Sequence, residues 1–143
     1  MDETVLQRPR LGGLNLMRPV ILTIDDAKAV RLLVEKALAP FDCEPTEATN
    51  GFNGLFEMEK RRPDLILLDV SMPVMNGIDM LERVKSAPEV SDIPIIMMTS
   101  RSDHAYMAEI MALGAKATLM KPFTEAALLE SIGSALKLKP KKK

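Results

Sequence analysis

The reading of this chain turns on one segment, Asp64-Leu65-Ile66-Leu67-Leu68-Asp69-Val70-Ser71-Met72-Pro73-Val74-Met75-Asn76-Gly77. Leu65 to Leu68 are four consecutive aliphatic residues with no polar alternation, so they read as a strand buried on both faces, the kind found in parallel sheets. The carboxylate of Asp69 ends the run. Pro73 and Gly77 mark a loop, and a helix carrying Ile78, Leu81 and Val84 follows and stops at Pro88. A short apolar strand, a carboxylate at its carboxyl end and an amphipathic helix make one βα unit.

The same unit recurs in both directions. Upstream, Val20-Ile21-Leu22-Thr23-Ile24 runs into Asp25 and Asp26, and Val30, Leu33, Val34, Ala37 and Leu38 then keep helical spacing until Pro40. A weaker strand from Cys43 to Ala48 leads through the Asn50-Gly51 turn into a short helix with Phe52, Leu55 and Phe56, which ends before Pro63. Downstream, a strand from Ile95 to Met98 meets Thr99 and Ser100. The next helix carries Met107, Ile110 and Met111 on one face and has Gly114 at its C-terminal cap. A fifth strand, Ala117 to Met120, meets Lys121, and a last helix carries Leu128, Ile132, Ala135 and Leu136. Five strands alternating with five helices through short connections predict an α/β domain, a parallel sheet with helices on both faces.

Size and composition bound the rest. The 143 residues are 47% hydrophobic, enough for one core and too few for a second full domain. The net charge of −1 conceals an uneven distribution. Residues 1–18 carry +1, residues 19–136 carry eleven basic against eighteen acidic side chains, and the tail at 137–143 carries five lysines. The lone Cys43 forms neither an intrachain disulfide nor a CxxC or Cys-rich zinc site. Apolar runs are four residues long, against the roughly 20 that span a bilayer. The first residues contain no continuous apolar stretch suited to a secretory signal. A cytoplasmic protein without membrane insertion is expected. Residues 1–18, with Met17 as an alternative start, are expected to be a flexible extension; residues 19–136 form the domain, and 137–143 a solvated Lys-rich tail. Only seven residues follow Leu136, too few for a helix-turn-helix, so no direct specific DNA binding is expected.

In such sheets, ligands bind beyond the carboxyl ends of the strands. The residues standing there are Asp25 and Asp26, Asp69, Thr99 and Ser100, and Lys121. Each alone has a plain structural explanation as a turn, cap or loop residue. Together they carry complementary chemistry. Three carboxylates at one edge repel one another unless a cation offsets them, and a hard oxygen set suits Mg²⁺. Lys121 and the Thr99 hydroxyl suit a phosphoryl group, and a carboxylate is available as nucleophile.

On these segments, together with Pro94-Ile95-Ile96-Met97-Met98-Thr99-Ser100 and Gly114-Ala115-Lys116-Ala117-Thr118-Leu119-Met120-Lys121-Pro122-Phe123, the chain resembles the receiver domain of bacterial two-component response regulators over about residues 19 to 136. The resemblance implies a flavodoxin-like (βα)5 fold with strand order 2-1-3-4-5 in a single domain. It implies that Asp69 accepts a phosphoryl group from a histidine kinase or phosphotransfer protein. It further implies that Asp26, Asp69 and the backbone carbonyl of Ser71 hold Mg²⁺, with Asp25 acting mainly through metal-bound water. Thr99 and Lys121 would meet the phosphoryl oxygens, and the peptide bond before Pro122 would be cis. The positions of Ser71 and Arg101 tune phosphate lifetime in the family.

One position departs from the family pattern: Thr118 stands where an aromatic switch residue is usual. Tyr106, the only tyrosine, reads as a surface residue. His104 reads as an exposed residue at a helix start, the methionines as adaptable core packing, and Cys43 as a buried or edge-strand thiol. The expected function is therefore that of a signalling phosphoacceptor rather than an enzyme, acting through a phosphorylation-dependent contact with a downstream protein or through phosphate relay. The alternatives are a phosphorylation-independent interaction module and an aspartate-nucleophile phosphatase. The latter class places a second Asp two residues after the nucleophile, where this chain has Ser71.

Overall fold

The computed structural model describes residues 18–142. Five parallel strands, β1 (Val20–Ile24), β2 (Glu44–Ala48), β3 (Leu65–Asp69), β4 (Ile95–Thr99) and β5 (Ala117–Met120), form one sheet in the order β2-β1-β3-β4-β5. The helices are α1 (Lys28–Leu38), α2 (Gly51–Lys60), α3 (Gly77–Ser86), α4 (Met107–Ala112) and α5 (Glu125–Gly133), with a 3-10 helix over Arg101–Tyr106 leading into α4. Both the α/β class and the strand order agree with expectation. The strand order reverses between β1 and β3, which puts Asp25, Asp26 and Asp69 at one crevice.

Alternation along each strand divides the core into two layers. Leu22, Ile24, Ile66, Leu68, Ile95 and Met97 face α2, α3 and α4, where Met58, Met80, Leu81, Val84 and Ile110 meet them. Ile21, Leu65, Leu67, Ile96 and Met98 face α1 and α5, against Val34, Ala37, Leu38, Leu128 and Ile132. All of Leu65 to Leu68 is shielded from solvent. At about 2 kcal/mol for each fully buried aliphatic side chain, the central strand supplies much of the hydrophobic stabilisation and leaves Asp69 little freedom to shift.

Three elements depart from the apolar pattern, each for a local reason. β2 reads Glu44-Pro45-Thr46-Glu47-Ala48 and alternates in burial, because it is an edge strand that needs only one covered face and tolerates Pro45. In α2 the sheet-facing stripe is Gly51, Gly54, Leu55 and Met58; a Cβ on Gly54 would approach Ile24 Cδ1 to 2.6 Å. The helix therefore packs close through its glycines and turns Phe52 and Phe56 outward, 53% and 54% exposed, edge to face at 5.4 Å. In α4 only Ile110 is buried, and Met111 faces solvent. Gly114, at φ 101°, closes that helix: its N–H and that of Ala115 donate to the carbonyls of Met111 and Ile110, a Schellman arrangement.

The expected N-terminal extension lies outside the described residues apart from Arg18, whose guanidinium donates to the Cys43 carbonyl at 2.8 Å and pairs with Asp42. At the other end the lysine tail is bound to the domain through its backbone. Asp42 N–H donates to Lys139 O (2.7 Å), Lys141 N–H donates to Pro40 O (2.9 Å), and Leu138 packs on the α1–α5 layer while Lys137, Lys139, Lys141 and Lys142 stay exposed. Among the described residues, no helix is long and apolar enough to cross a membrane.

Gly77 opens α3 against the end of β3. A Cβ there would lie 2.0 Å from the Asp69 carbonyl oxygen, and its N–H donates to Val70 O at 2.8 Å. Gly77→Ala is expected to cost about 1–3 kcal/mol or more, because only backbone movement can relieve the clash. Gly133→Ala, with nothing within 4 Å of its Cβ, is expected to be neutral or stabilising. Urea unfolding of the two variants measures the contrast.

Candidate functional site

Asp25, Asp26, Asp69, Thr99 and Lys121 each end a strand or follow one, so backbone pairing in the sheet sets their position. Asp25 follows β1, and its N–H donates to Ala48 O at 3.1 Å on β2. Asp69 ends β3 and is in register with Met98; the next N–H, of Val70, donates to Met98 O. Thr99 ends β4, buried, and its carbonyl accepts from Lys121 N–H at 2.7 Å. The Lys121–Pro122 bond is cis, as expected.

These strand ends converge. Asp25, Asp26 and Asp69 each offer a carboxylate oxygen within 4.8 Å of the others. Asp25 is 0% and Asp69 4% exposed, while Asp26 is open to solvent. The Asp25 carboxylate has two functions. Its Oδ1 accepts from Ala27 N–H at 2.8 Å, forming the turn that leads into α1. Its Oδ2, fully buried, accepts no hydrogen bond and lies 2.7 Å from Lys121 Nζ as an ion pair. Arg31 on α1 donates from Nη1 to the Asp25 carbonyl at 2.8 Å, a brace that helical spacing alone did not single out.

Lys121 answers two carboxylates at once, donating from Nζ to Asp69 Oδ1 at 3.0 Å as well as pairing with Asp25. Burial alone would lower its pKa, but its contacts with the Asp25 and Asp69 carboxylates outweigh that and raise it, so it stays a cation. Burial pushes the Asp69 carboxyl up to about 6; the hydrogen bond from Lys121 works against the rise, and the charges of Asp25 and Asp26 add to it. The cluster thus holds more negative charge than one ammonium offsets. The all-oxygen donor set of Asp25, Asp26 and Asp69 fits a hard divalent cation such as Mg²⁺.

Asp25, Asp26, Asp69, Thr99 and Lys121 thus stand at one sheet edge, the place that strand order alone assigned them. Ser71 lies on the loop after β3, two residues beyond Asp69. Asp103 went unnoticed in the sequence, where it sits within a polar stretch, yet it is buried and accepts from Ser71 Oγ at 3.1 Å. The Ser100-x-x-Asp103 spacing of a capping box was the available signal. Thr118 is half-buried in β5. Tyr106, half-exposed, lines a groove with Val70, Ser71 and Glu109.

Residues 21–133 match the family model described as the response regulator receiver domain. Sporulation initiation phosphotransferase F of Bacillus subtilis is 33% identical over 124 residues, covering 87% of this chain and 98% of that one. Chemotaxis protein CheY-3 of Vibrio cholerae is 31% identical over 113 residues, covering 78% and 87%. The solved chemotaxis response regulator CheY4 of Vibrio cholerae superposes with a TM-score of 0.78 at 31% identity, over 84% of this chain and 100% of that one. With the family model spanning most of the sheet and relatives this similar over nearly their full length, the chain belongs to the response regulator receiver domains of two-component systems.

Proposed function

We propose that Asp69 accepts a phosphoryl group from the phosphohistidine of a histidine kinase or phosphotransfer protein, and that the modified domain acts by docking to a downstream protein or relaying the phosphate. The observation that carries this reading is the convergence of three carboxylates with Lys121 on two of them. An Asp69 carboxylate oxygen forms a bond to phosphorus as the phosphorus–nitrogen bond breaks, and the bonding pair returns to the imidazole. Lys121 already faces Asp69, so its ammonium meets charge gathering on the transferring oxygens without reorganisation. Asp26, Asp69 and the Ser71 carbonyl would hold Mg²⁺, with Asp25 reaching it through water. When bound, the ion supplies charge neutralisation for the phosphoryl oxygens. Thr99, at the end of β4, would donate its hydroxyl to a phosphoryl oxygen. The domain promotes its own phosphorylation and dephosphorylation and turns over no other substrate. The name of the Bacillus subtilis relative, a phosphotransferase, supports the relay half of the reading. Thr118 at the usual aromatic position favours, as second reading, an interaction module independent of phosphorylation.

Incubation with Mg²⁺ and a small acyl phosphate is expected to add one phosphoryl group to the wild type, none to Asp69→Asn, and none after chelation of the metal. Mass spectrometry of the intact protein reads all three, and an unmodified wild type defeats the proposal. Lys121→Ala is expected to slow labelling by about 10²-fold, the scale of losing one preorganised electrostatic partner.

The raised Asp69 pKa sets a pH dependence for the metal-free protein. Above the unfolded value near 3.8 the unfolded chain releases this proton, while the native state holds it to about pH 6. The contribution of Asp69 to stability is therefore greatest at low pH and falls as pH rises through 6. In chelator, Asp69→Asn is expected to melt about 6–12 °C above wild type at pH 8, with the gap closing toward pH 4. Calorimetric scans across this range check the sign, and a gap that widens on acidification contradicts it.

A further inference from the structure

Asp103 is a buried carboxylate, 3% exposed, that the chemistry above leaves unused. Its Oδ2 accepts from the Ser100 N–H at 2.8 Å and from Ser100 Oγ at 3.0 Å, which closes the start of the 3-10 helix. A helix cap requires no more than that. The other oxygen, Oδ1, accepts from Ser71 Oγ at 3.1 Å, 32 residues away in sequence. One carboxylate thus links the loop two residues past Asp69 to the loop one residue past Thr99. An open groove of about 600 Å³ runs between these segments, with Val70, Ser71 and Met72 on one wall and Tyr106 and Glu109 on the other.

We infer that Asp103 is a positioning residue that ties the Ser71 loop to the Thr99–Ser100 loop, so that a shift of Thr99 toward a phosphoryl group on Asp69 reaches both Ser71 and the start of α4. The inference rests on the phosphoacceptor reading for its role in signalling and on the hydrogen bonds alone for the tie itself. Thr99 and Ser100 are consecutive, and Ser100 is held to Asp103 by two bonds, so the pair moves with the carboxylate. Ser71 Oγ is engaged by the same carboxylate, which fixes the orientation of its hydroxyl beside Asp69. A polar link of this kind supplies a path between acceptor and α4 in a chain that has Thr118 in place of the aromatic residue.

The test uses the full chain with Ser71→Ala, Ser71→Thr, Asp103→Asn and the double variant Ser71→Ala/Asp103→Asn. Ser71 is exposed, so its substitutions leave folding intact even if Asp103→Asn does not. In the unphosphorylated protein, Ser71→Ala is expected to speed amide exchange at residues 100–104 by about two- to tenfold, the range for loss of one hydrogen bond. Ser71→Thr, which keeps the donor, is expected to leave it unchanged, and the double variant is expected to exchange no faster than Asp103→Asn. Exchange that changes only at residues 70–73 in Ser71→Ala overturns the tie and reduces Asp103 to a helix cap. After acyl phosphate labelling, Ser71→Ala and Asp103→Asn are expected to change the half-life of the Asp69 phosphate in the same direction, without adding in the double variant. Independent, additive effects overturn the coupling. If wild type takes no label, the phosphoacceptor reading fails by itself, and the exchange data still decide the tie.

Discussion

The contact of Lys121 Nζ with Asp25 Oδ2 at 2.7 Å and Asp69 Oδ1 at 3.0 Å is the interaction on which the rest of the domain depends. Parallel strands with common polarity deliver their carboxyl ends to one edge, and here that edge collects three carboxylates. Two of them, Asp25 and Asp69, are buried, and burying these without a partner would cost several kcal/mol per charge. One ammonium arriving from β5 makes the metal-free arrangement tolerable without fully neutralising it. The excess negative charge suits the crevice to a divalent cation, so the electrostatic burden on folding and the proposed phosphoryl chemistry would have the same origin.

The framework around this contact is rigid where the chemistry needs precision. β3 is buried along its whole length, its end is paired to β4, and Gly77 presses α3 against the Asp69 carbonyl at a distance no side chain would permit. Asp25 is held from both sides, by Ala27 N–H on its carboxylate and by Arg31 on its carbonyl. The loops after β3 and β4 are different in character. They border an open groove and meet through single polar bonds such as Ser71–Asp103, and Val74 adopts φ 72° in the first of them, an uncommon conformation for a β-branched residue. The domain thus joins the proposed acceptor to a loop that Val70 and Met72 anchor in the core while Ser71 and Val74 stay exposed, an arrangement suited to converting a local charge into a displaced surface.

Residues that face a single, uniform environment were the most legible in the sequence. β1, β3 and β4 announce themselves as apolar runs because both their faces are covered, whereas β5, at the other edge of the sheet, leaves Met120 exposed; the site residues follow because strand polarity places them. β2 was hard to read since an edge strand shares its polar composition with loops. The outward turn of Phe52 and Phe56 was hidden because Gly51 and Gly54 offer no side chain to mark the inner stripe, and hydrophobicity alone points the wrong way. The solvated reading of the tail missed that its backbone pairs with residues 40–42, because the lysine side chains are exposed while the bonds lie in the main chain.

By itself, then, the order of residues determined the βα repeat, the parallel sheet and the identity of the groups at its carboxyl edge, since these follow from burial periodicity and chain direction, which are local properties. Only the tertiary structure decided which of those groups touch. That Lys121 bridges Asp25 and Asp69, that Arg31 braces Asp25, and that Asp103 reaches Ser71 across 32 residues depend on how strands and loops distant in sequence are brought together. Such hydrogen bonds and ion pairs form over about 3 Å, a separation that spacing along a chain does not encode.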